Sequence, residues 1–344
     1  MLDLARLHRL KLVRRPFFQR LIGRLLGVNY GFLPGVEIVL ENSDRIPDRP
    51  VIYAMNHTDR YNYFPFQYCL WKQFDRFTAA WVKGKYYENR FLAAFMESTA
   101  QLPTVSRGYL ITRDFLSTMG RTPTDREYAL LREVVDACAL GDDYQLPKPP
   151  EVPEKLLRKA RNPMGVAFDP LRAADPAGVG DSIGTDYAQY ICELFRAMMA
   201  RLTELNFEAI GIGLDLLIFP QGTRSRRLLP GRVGIGQIGL KLGIPIVPVG
   251  CNGSDRVYPG SSPFGGKGRI VYRFGEPIQD RDLAAFHIAE DFEPFSATAE
   301  RDHASAFQGV SDLITQRIDA LLDPEYRRAS DAGTDATHGS GRFV

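Results

Sequence analysis

The chain has 344 residues, 44% of them apolar and 24% charged, with a formal net charge of +2. That composition excludes a generally disordered chain and leaves room for one large α/β domain with an insertion, or for two smaller ones. Cys69, Cys138, Cys192 and Cys251 stand apart with no C-x-x-C spacing and no neighbouring histidine, which argues against a zinc site and a disulfide framework and points to reduced thiols in a cytosolic protein.

Residues 1–26 carry Arg6, Arg9, Lys11, Arg14, Arg15, Arg20 and Arg24 against Asp3 alone, so the segment is +6 and the remainder −4 of the total +2. Leu4, Leu7, Leu10, Phe17, Phe18, Leu21, Ile22, Leu25 and Leu26 interleave with those charges, predicting a basic amphipathic helix or helix pair over 1–30, bent at Pro16. Such a helix suits the surface of an anionic membrane; the same pattern also fits a helix packed on the domain with a solvated basic face. No uncharged apolar run reaches the ~18 residues that a spanning helix needs, and the early apolar runs are too short and too charged for a cleaved secretory signal.

Apolar runs predict strands at 36–40, 51–55, 77–82, 214–219, 244–249 and 270–274. Helical spacing is clearest from Tyr187 to Leu205, where Ile191, Leu194, Phe195, Met198, Met199, Leu202 and Leu205 recur at steps of three and four, and from Phe307 to Leu322. Alternation of this kind calls for an α/β fold with a mixed, largely parallel central sheet flanked by helices, spanning 31–327. From 113 to 185 the pattern weakens to one helix near 127–140 and Pro-, Gly- and Asp-rich sequence, which reads as an inserted subdomain or lid. Residues 328–344, rich in Ser, Gly, Asp and Thr, are expected to be disordered.

Gly234-Ile235-Gly236-Gln237-Ile238-Gly239 matches the dinucleotide fingerprint literally. A polar stretch broken by Pro230 and Gly231 precedes it instead of a strand, so these glycines are read as close packing of a helix against the sheet. Nothing beyond the N-terminal segment has the basic character or motif of a nucleic-acid binder.

Chemistry concentrates in Asn56-His57-Thr58-Asp59-Arg60-Tyr61-Asn62 and Phe219-Pro220-Gln221-Gly222-Thr223-Arg224-Ser225. Each follows a predicted strand, at the carboxyl edge where α/β sheets keep reactive groups. A histidine there, with an ordinary pKa near ~6.5, is a base for a hydroxyl proton. Gly222 permits a tight turn, and Arg224 offers a planar fork of donors matched to a phosphate. Asn56, Thr58 and Asp59 also have the character of helix caps.

The two stretches resemble the first and third sequence blocks of the glycerolipid acyltransferases, which acylate lysophosphatidic acid and glycerol 3-phosphate and usually read N-H-x4-D and F-P-E-G-T-R-S. Pro103 to Gly108 resembles the second block, with Arg107; Ile244 to Gly250 resembles the fourth; Lys83 and the Gly275-Glu276-Pro277 run fall where the family has similar residues. The resemblance covers roughly 30–112 and 205–280, and departs at Asn62 and Gln221, amides where the family has carboxylates.

The resemblance implies transfer of a fatty acyl group from acyl-CoA or acyl carrier protein to a hydroxyl of a lysophospholipid or glycerol phosphate, without metal or resident cofactor. The protein would be a peripheral enzyme of phospholipid biosynthesis at the inner face of the membrane. His57 would be the general base, oriented by Asn62, with Asp59 or a carboxylate from elsewhere as an alternative source of charge, although i to i+2 neighbours on a helix point apart. In serine-protease triads the matching Asp to Asn change costs about 10⁴ in turnover. Gln221, Gly222, Thr223, Arg224, Arg107 and Lys83 would contact the phosphate or the acyl donor, Arg107 and Lys83 being equally consistent with simple surface cations. Loss of both motif carboxylates leaves open a non-catalytic lipid-binding descendant, or an enzyme for another lipid acceptor in which Gln221 is the altered contact.

Overall fold

The computed structural model describes residues 2–31, 35–158 and 186–328. Seven strands form one sheet in the order β1-β7-β6-β2-β5-β3-β4. In chain order they are β1 (Val36–Glu41), β2 (Ile52–Met55), β3 (Thr78–Lys83), β4 (Leu102–Thr104), β5 (Asp215–Ile218), β6 (Ile246–Asn252) and β7 (Gly268–Phe274). All neighbouring strands are parallel except β6 with β7. The fold is therefore the expected α/β type, with a mixed, largely parallel sheet. The three-residue β4 is the strand that its sequence does not announce.

β2 sits between β6 and β5 and is buried along its whole length. Ile52 and Ala54 face one apolar cluster while Tyr53 and Met55 face the other, which is why the strand reads as a continuous apolar run rather than an alternation. Helix α1 (Leu4–Arg9) lies on the first cluster's side, and α2 (Phe17–Gly31) and α3 (Tyr63–Phe74) on the second's. Beyond β3 come α4 (Arg90–Ser98), α5 (Arg107–Met119), α6 (Asp125–Leu140) and α7 (Glu154–Arg158). The long α8 (Tyr187–Gly211) leads into β5, and α9 (Gly234–Leu242) follows it. The last part holds α10 (Ser254–Val257), α11 (Asp280–Leu283), α12 (Ala297–Asp302) and α13 (Ala304–Asp319).

Of the two forms expected for the basic N-terminal segment, the structure has the helix pair and not one bent helix. The chain is non-helical from Leu10 to Pro16, so α1 and α2 are separate elements. On α1, Leu4 and Leu7 are buried in the core, with Leu10 just beyond it, and Arg6 Nε bonds Glu97 at 2.5 Å. Helix α2 behaves differently: at 100° per residue, Phe17, Leu21, Leu25 and Val28 share one side and Gln19, Gly23, Leu26 and Tyr30 the other. The second side is the buried one, and Gln19 Nε2 donates to Thr78 O and Thr99 O. Phe17, Phe18, Leu25 and Val28 face outward, 46–61% exposed.

The stretch read as an insertion at 113–185 is, as far as 158, continuous with the main core. Phe115 of α5 and Leu131 and Val135 of α6 are fully buried in the cluster that contains Ile191 and Met198 of α8. Helix α6 begins at a capping box between Thr124 and Glu127 and ends at Gly141 with φ +77°. The rest of the expected lid, 159–185, and the tail from 329 onward lie outside the described residues.

The glycines of the dinucleotide-like run serve packing, partly as expected. A Cβ on Gly239 would come within 2.8 Å of the Ile246 side chain on the sheet, whereas one on Gly236 would meet the Phe307 carbonyl oxygen of α13 at 2.2 Å. A backbone atom cannot give way as a side chain can, so Gly236→Ala should cost about 2–3 kcal/mol. The urea midpoint, read at unchanged slope, measures this; an unchanged midpoint would show that α9 and α13 are not held at that distance.

Candidate active site

Parallel pairing of β2 with β5 aligns Tyr53 with Leu217 and Ala54 with Ile218. Continued past the strand ends, the same register brings His57 level with Gln221. There the His57 N–H donates to Gln221 Oε1 at 2.9 Å, and the His57 carbonyl accepts from the Ser225 N–H at 2.8 Å. Both backbone polar groups of His57 are thus held by the turn that carries Arg224. On the other side, Asn56 extends the β2–β6 pairing with its side chain: Nδ2 donates to Cys251 O at 2.9 Å and Oδ1 accepts from Cys251 N at 2.7 Å.

The imidazole lies over the Phe219 ring, with centroids 4.1 Å apart and planes 22° off parallel. Its Nδ1 is 3.0 Å from Asn62 Oδ1. Asn62 is fully buried, its Nδ2 donates to Asn56 O at 3.0 Å, and its own carbonyl accepts from the Tyr272 hydroxyl at 2.6 Å. Because the amide nitrogen is committed to Asn56, the oxygen faces the ring and can only accept. The hydrogen bond therefore fixes the neutral tautomer with the proton on Nδ1, leaving Nε2 with a lone pair.

Electrostatically the ring is poor in compensation. Burial is the main cause that pushes the His57 pKa down to about 4; the Asn62 hydrogen bond opposes it, and the positive charges of Arg224 and Lys83 depress it further. At neutral pH the ring is uncharged, a weak base with two cations within electrostatic reach. Arg224 is exposed, and among the described residues it has no ion-pair or hydrogen-bond partner. Lys83, the last residue of β3, is exposed at the same sheet edge, brought there by the pairing of β3 with β5.

Other residues singled out in the sequence go elsewhere. Asp59 is buried and accepts from Thr58 Oγ1 at 2.9 Å and Tyr61 N at 2.8 Å; burial raises its pKa against the hydrogen bonds it accepts. It is not the ring's partner, because Asn62 holds that place. Gln221 is also buried, and with Oε1 on His57 its Nε2 donates to Arg227 O at 3.4 Å. A glutamate could not make that second bond, so the amide acts as a brace between two backbone segments and not as a contact open to a ligand. Gly222, with φ +64°, closes the turn through its N–H on Phe219 O at 3.0 Å, a conformation that L side chains resist. Thr223 is half-buried beside it.

Arg107 is not with this group. From the start of α5 its Nε donates to Asp136 Oδ1 at 2.9 Å, Glu300 lies 3.6 Å from Nη2, and its guanidinium sits 5.2 Å from the centre of the Phe195 ring. It lines a cleft of about 920 Å³ with Cys138, Cys192, Phe292 and Phe295, which His57, Arg224 and Lys83 do not line. Conversely, the sequence did not assign roles to Phe219 and Tyr272. Phe219 carried a usable signal: two residues past Leu217 on the same strand face, it had to end beside whatever followed β2. Among the described residues no group of three His, Cys, Asp or Glu side chains could hold a metal ion.

No protein-family model matches the chain, and no curated protein is similar to it in sequence. Among solved structures it is similar to the 1-acyl-sn-glycerophosphate (LPA) acyltransferase PlsC from Thermotoga maritima, at 14% identity and a TM-score of 0.35, over 91% of this chain and 80% of that one. A likeness this distant carries no argument about activity, which has to be made from the residues themselves.

The geometry makes a direct prediction. A carboxylate in place of the Asn62 amide would face the Nδ1–H at about the same distance and stabilise the imidazolium, so Asn62→Asp should raise the His57 pKa by about 1 to 3 pH units. NMR titration of the ring protons measures it, and an unchanged value would mean that residue 62 does not face the imidazole in solution.

Proposed function

We propose that the chain is an acyltransferase that moves a fatty acyl group from a thioester donor, acyl-CoA or acyl carrier protein, to the hydroxyl of a lysophospholipid or glycerol phosphate at a membrane surface. The observation that supports it most is the joining of His57 to the Arg224 turn: a base with one free ring nitrogen and an unpaired guanidinium, carried by neighbouring strand ends. Nε2 takes the proton from the acceptor hydroxyl as its oxygen attacks the thioester carbonyl carbon. When the tetrahedral intermediate collapses, the carbon–sulfur bond breaks and the imidazolium returns the proton to the departing thiolate. Transfer is direct, with no acyl-enzyme.

Arg224, with the Thr223 hydroxyl beside it and Lys83 at the same edge, holds the acceptor phosphate and so places the hydroxyl. The bound anion has a second effect on this reading. By offsetting the charges of Arg224 and Lys83 it removes part of what depresses the ring, so the base strengthens when an acceptor is present. Gln221 and Arg107, committed to other partners, are left out of the binding set.

Peripheral membrane association is consistent with the outward apolar face of α2 and with the exposed Arg9, Lys11, Arg14 and Arg24, which have no ion-pair partner among the described residues. Among the described residues no helix is long and apolar enough to cross a membrane.

One observation favours a second reading. His57 is a weak base opposite a neutral amide, an arrangement sufficient for a lipid-binding protein that catalyses nothing. Radiolabelled acyl-CoA with a panel of lyso-acceptors separates the two. His57→Ala should lower kcat/KM by about 10²–10⁴, and Arg224→Ala by about 10–100-fold for phosphorylated acceptors, expressed chiefly in KM. Phospholipid binding without turnover of any acceptor would favour the binding reading, and turnover indifferent to His57→Ala would remove the base.

The sign of the pH dependence also follows. The depressed pKa puts the loss of kcat/KM on the acid side, near pH 4 for the free protein. Because the bound phosphate raises the ring's pKa, the acid limb of kcat should lie at higher pH than that of kcat/KM. Coincident limbs would show that the acceptor anion does not act on His57.

A further inference from the structure

Resting on the membrane-surface reading above, we propose that the loop from Pro259 to Lys267 is a second bilayer contact, clasped to the C-terminal part of α2 and tied through Tyr61 to the sheet edge that carries His57. It carries Phe264, 59% exposed. The backbone that carries this ring is held on several sides. Phe264 N–H donates to Ser262 Oγ at 3.1 Å, and that hydroxyl bonds Phe264 O at 3.2 Å. Gly265 N–H donates to Asn29 Oδ1 at 2.7 Å while Asn29 Nδ2 donates to Gly265 O at 3.0 Å, and Gly266 N–H donates to Val257 O at 2.8 Å. The tied backbone holds a large apolar side chain out in water, where it contributes nothing to the core.

The Asn29 clasp says where that side chain is. Asn29 is a buried residue of the last turns of α2, one position after the exposed Val28, so the clasp seats the loop, and Phe264 next to Gly265, against the C-terminal part of that helix. A Cβ on Gly265 would come within 2.6 Å of the Val257 side chain, so the loop also lies tight against α10. Exposed apolar side chains on α2 and on the loop clasped to it mark a contact site. Its partner is indicated by charge: Arg24, Arg60 and Lys267 are exposed and among the described residues have no ion-pair partner. Apolar side chains flanked by unpaired cations fit an anionic lipid surface, with rings in the acyl boundary and cations among the headgroups.

The loop is also joined to the candidate active site. The Tyr61 hydroxyl donates to Ser261 O, the Tyr61 ring packs 5.6 Å from that of Tyr258, and the Tyr258 hydroxyl donates to Tyr30 of α2 at 3.1 Å. Tyr61 adjoins Asn62, the ring partner of His57. Docking by this surface therefore brings the His57 edge close to the interface, so that a lipid acceptor need not leave the bilayer fully to meet the base.

Sedimentation of the full chain with vesicles of phosphatidylcholine, alone or mixed with phosphatidylglycerol, tests the proposal. Phe264→Asp should weaken binding to the mixed vesicles about tenfold, the scale expected for losing one buried ring, with no change in thermal melting. Lys267→Gln should weaken binding only where the anionic lipid is present. Phe264→Trp should add a blue-shifted emission that brominated lipid quenches. If Leu25→Asp releases the protein from vesicles while Phe264→Asp does not, the loop is no contact and the membrane reading stands; if the unaltered chain ignores both vesicles, the two fall together. A Phe264 ring that becomes protected by self-association without lipid would also overturn the proposal.

Discussion

The hydrogen bond from the His57 N–H to Gln221 Oε1, 2.9 Å long, joins the carboxyl edges of two neighbouring strands, and with the Ser225 N–H on the His57 carbonyl it clamps both polar groups of one residue. Parallel strands leave such groups unpaired where the ladder ends, and a buried unpaired peptide group is costly. Here the turn after β5 supplies both partners. The chain after β5 must therefore turn where it does, through Gly222 at positive φ, and Arg224 is delivered beside the histidine as a consequence. The geometry of the candidate site and the satisfaction of strand ends are the same set of bonds.

Charge balance distinguishes this site more than its shape. Amides at 62 and 221 preserve the hydrogen-bond network, and Gln221 extends it by donating to Arg227 O, yet neither brings a negative charge. The ring is left between a neutral acceptor and two cations, with its pKa pushed down to about 4, burial being the first cause. An anion held near Arg224 would offset part of that positive charge, so in the proposed function the strength of the base depends on the ligand. Asp59, the nearest carboxylate in sequence, is spent on Thr58 and the Tyr61 N–H instead.

The N-terminal segment shows how one amphipathic pattern can serve two ends. Leu4 and Leu7 of α1 bury in the core, while α2, equally apolar, turns Gln19, Gly23 and Asn29 inward. Glycine at 23 lets the Trp71 ring approach, a Cβ there falling 2.9 Å from it, and the polar side chains find backbone partners at Thr78, Thr99 and Gly265. With its inner face satisfied by packing and hydrogen bonds, the helix leaves its apolar side outward. Composition alone cannot show this, because either face of such a helix can be the buried one.

By itself the sequence determined the elements and the chemistry at their ends: the apolar runs of β2 and β5, the helical spacing of α8 and α13, the histidine and the Gly-Thr-Arg turn after their strands, and the glycines that pack α9. These are legible because periodicity and strand-end position are local properties of the chain. Tertiary structure alone decided which partner each side chain took: Asn62 and not Asp59 for the imidazole, Asp136 and Glu300 for Arg107, a backbone brace for Gln221, and the core for α5 and α6 where an inserted lid was expected. Those choices depend on register between strands far apart in sequence and on which face of a helix meets a neighbour, and the energies that settle them arise only when the segments are brought together.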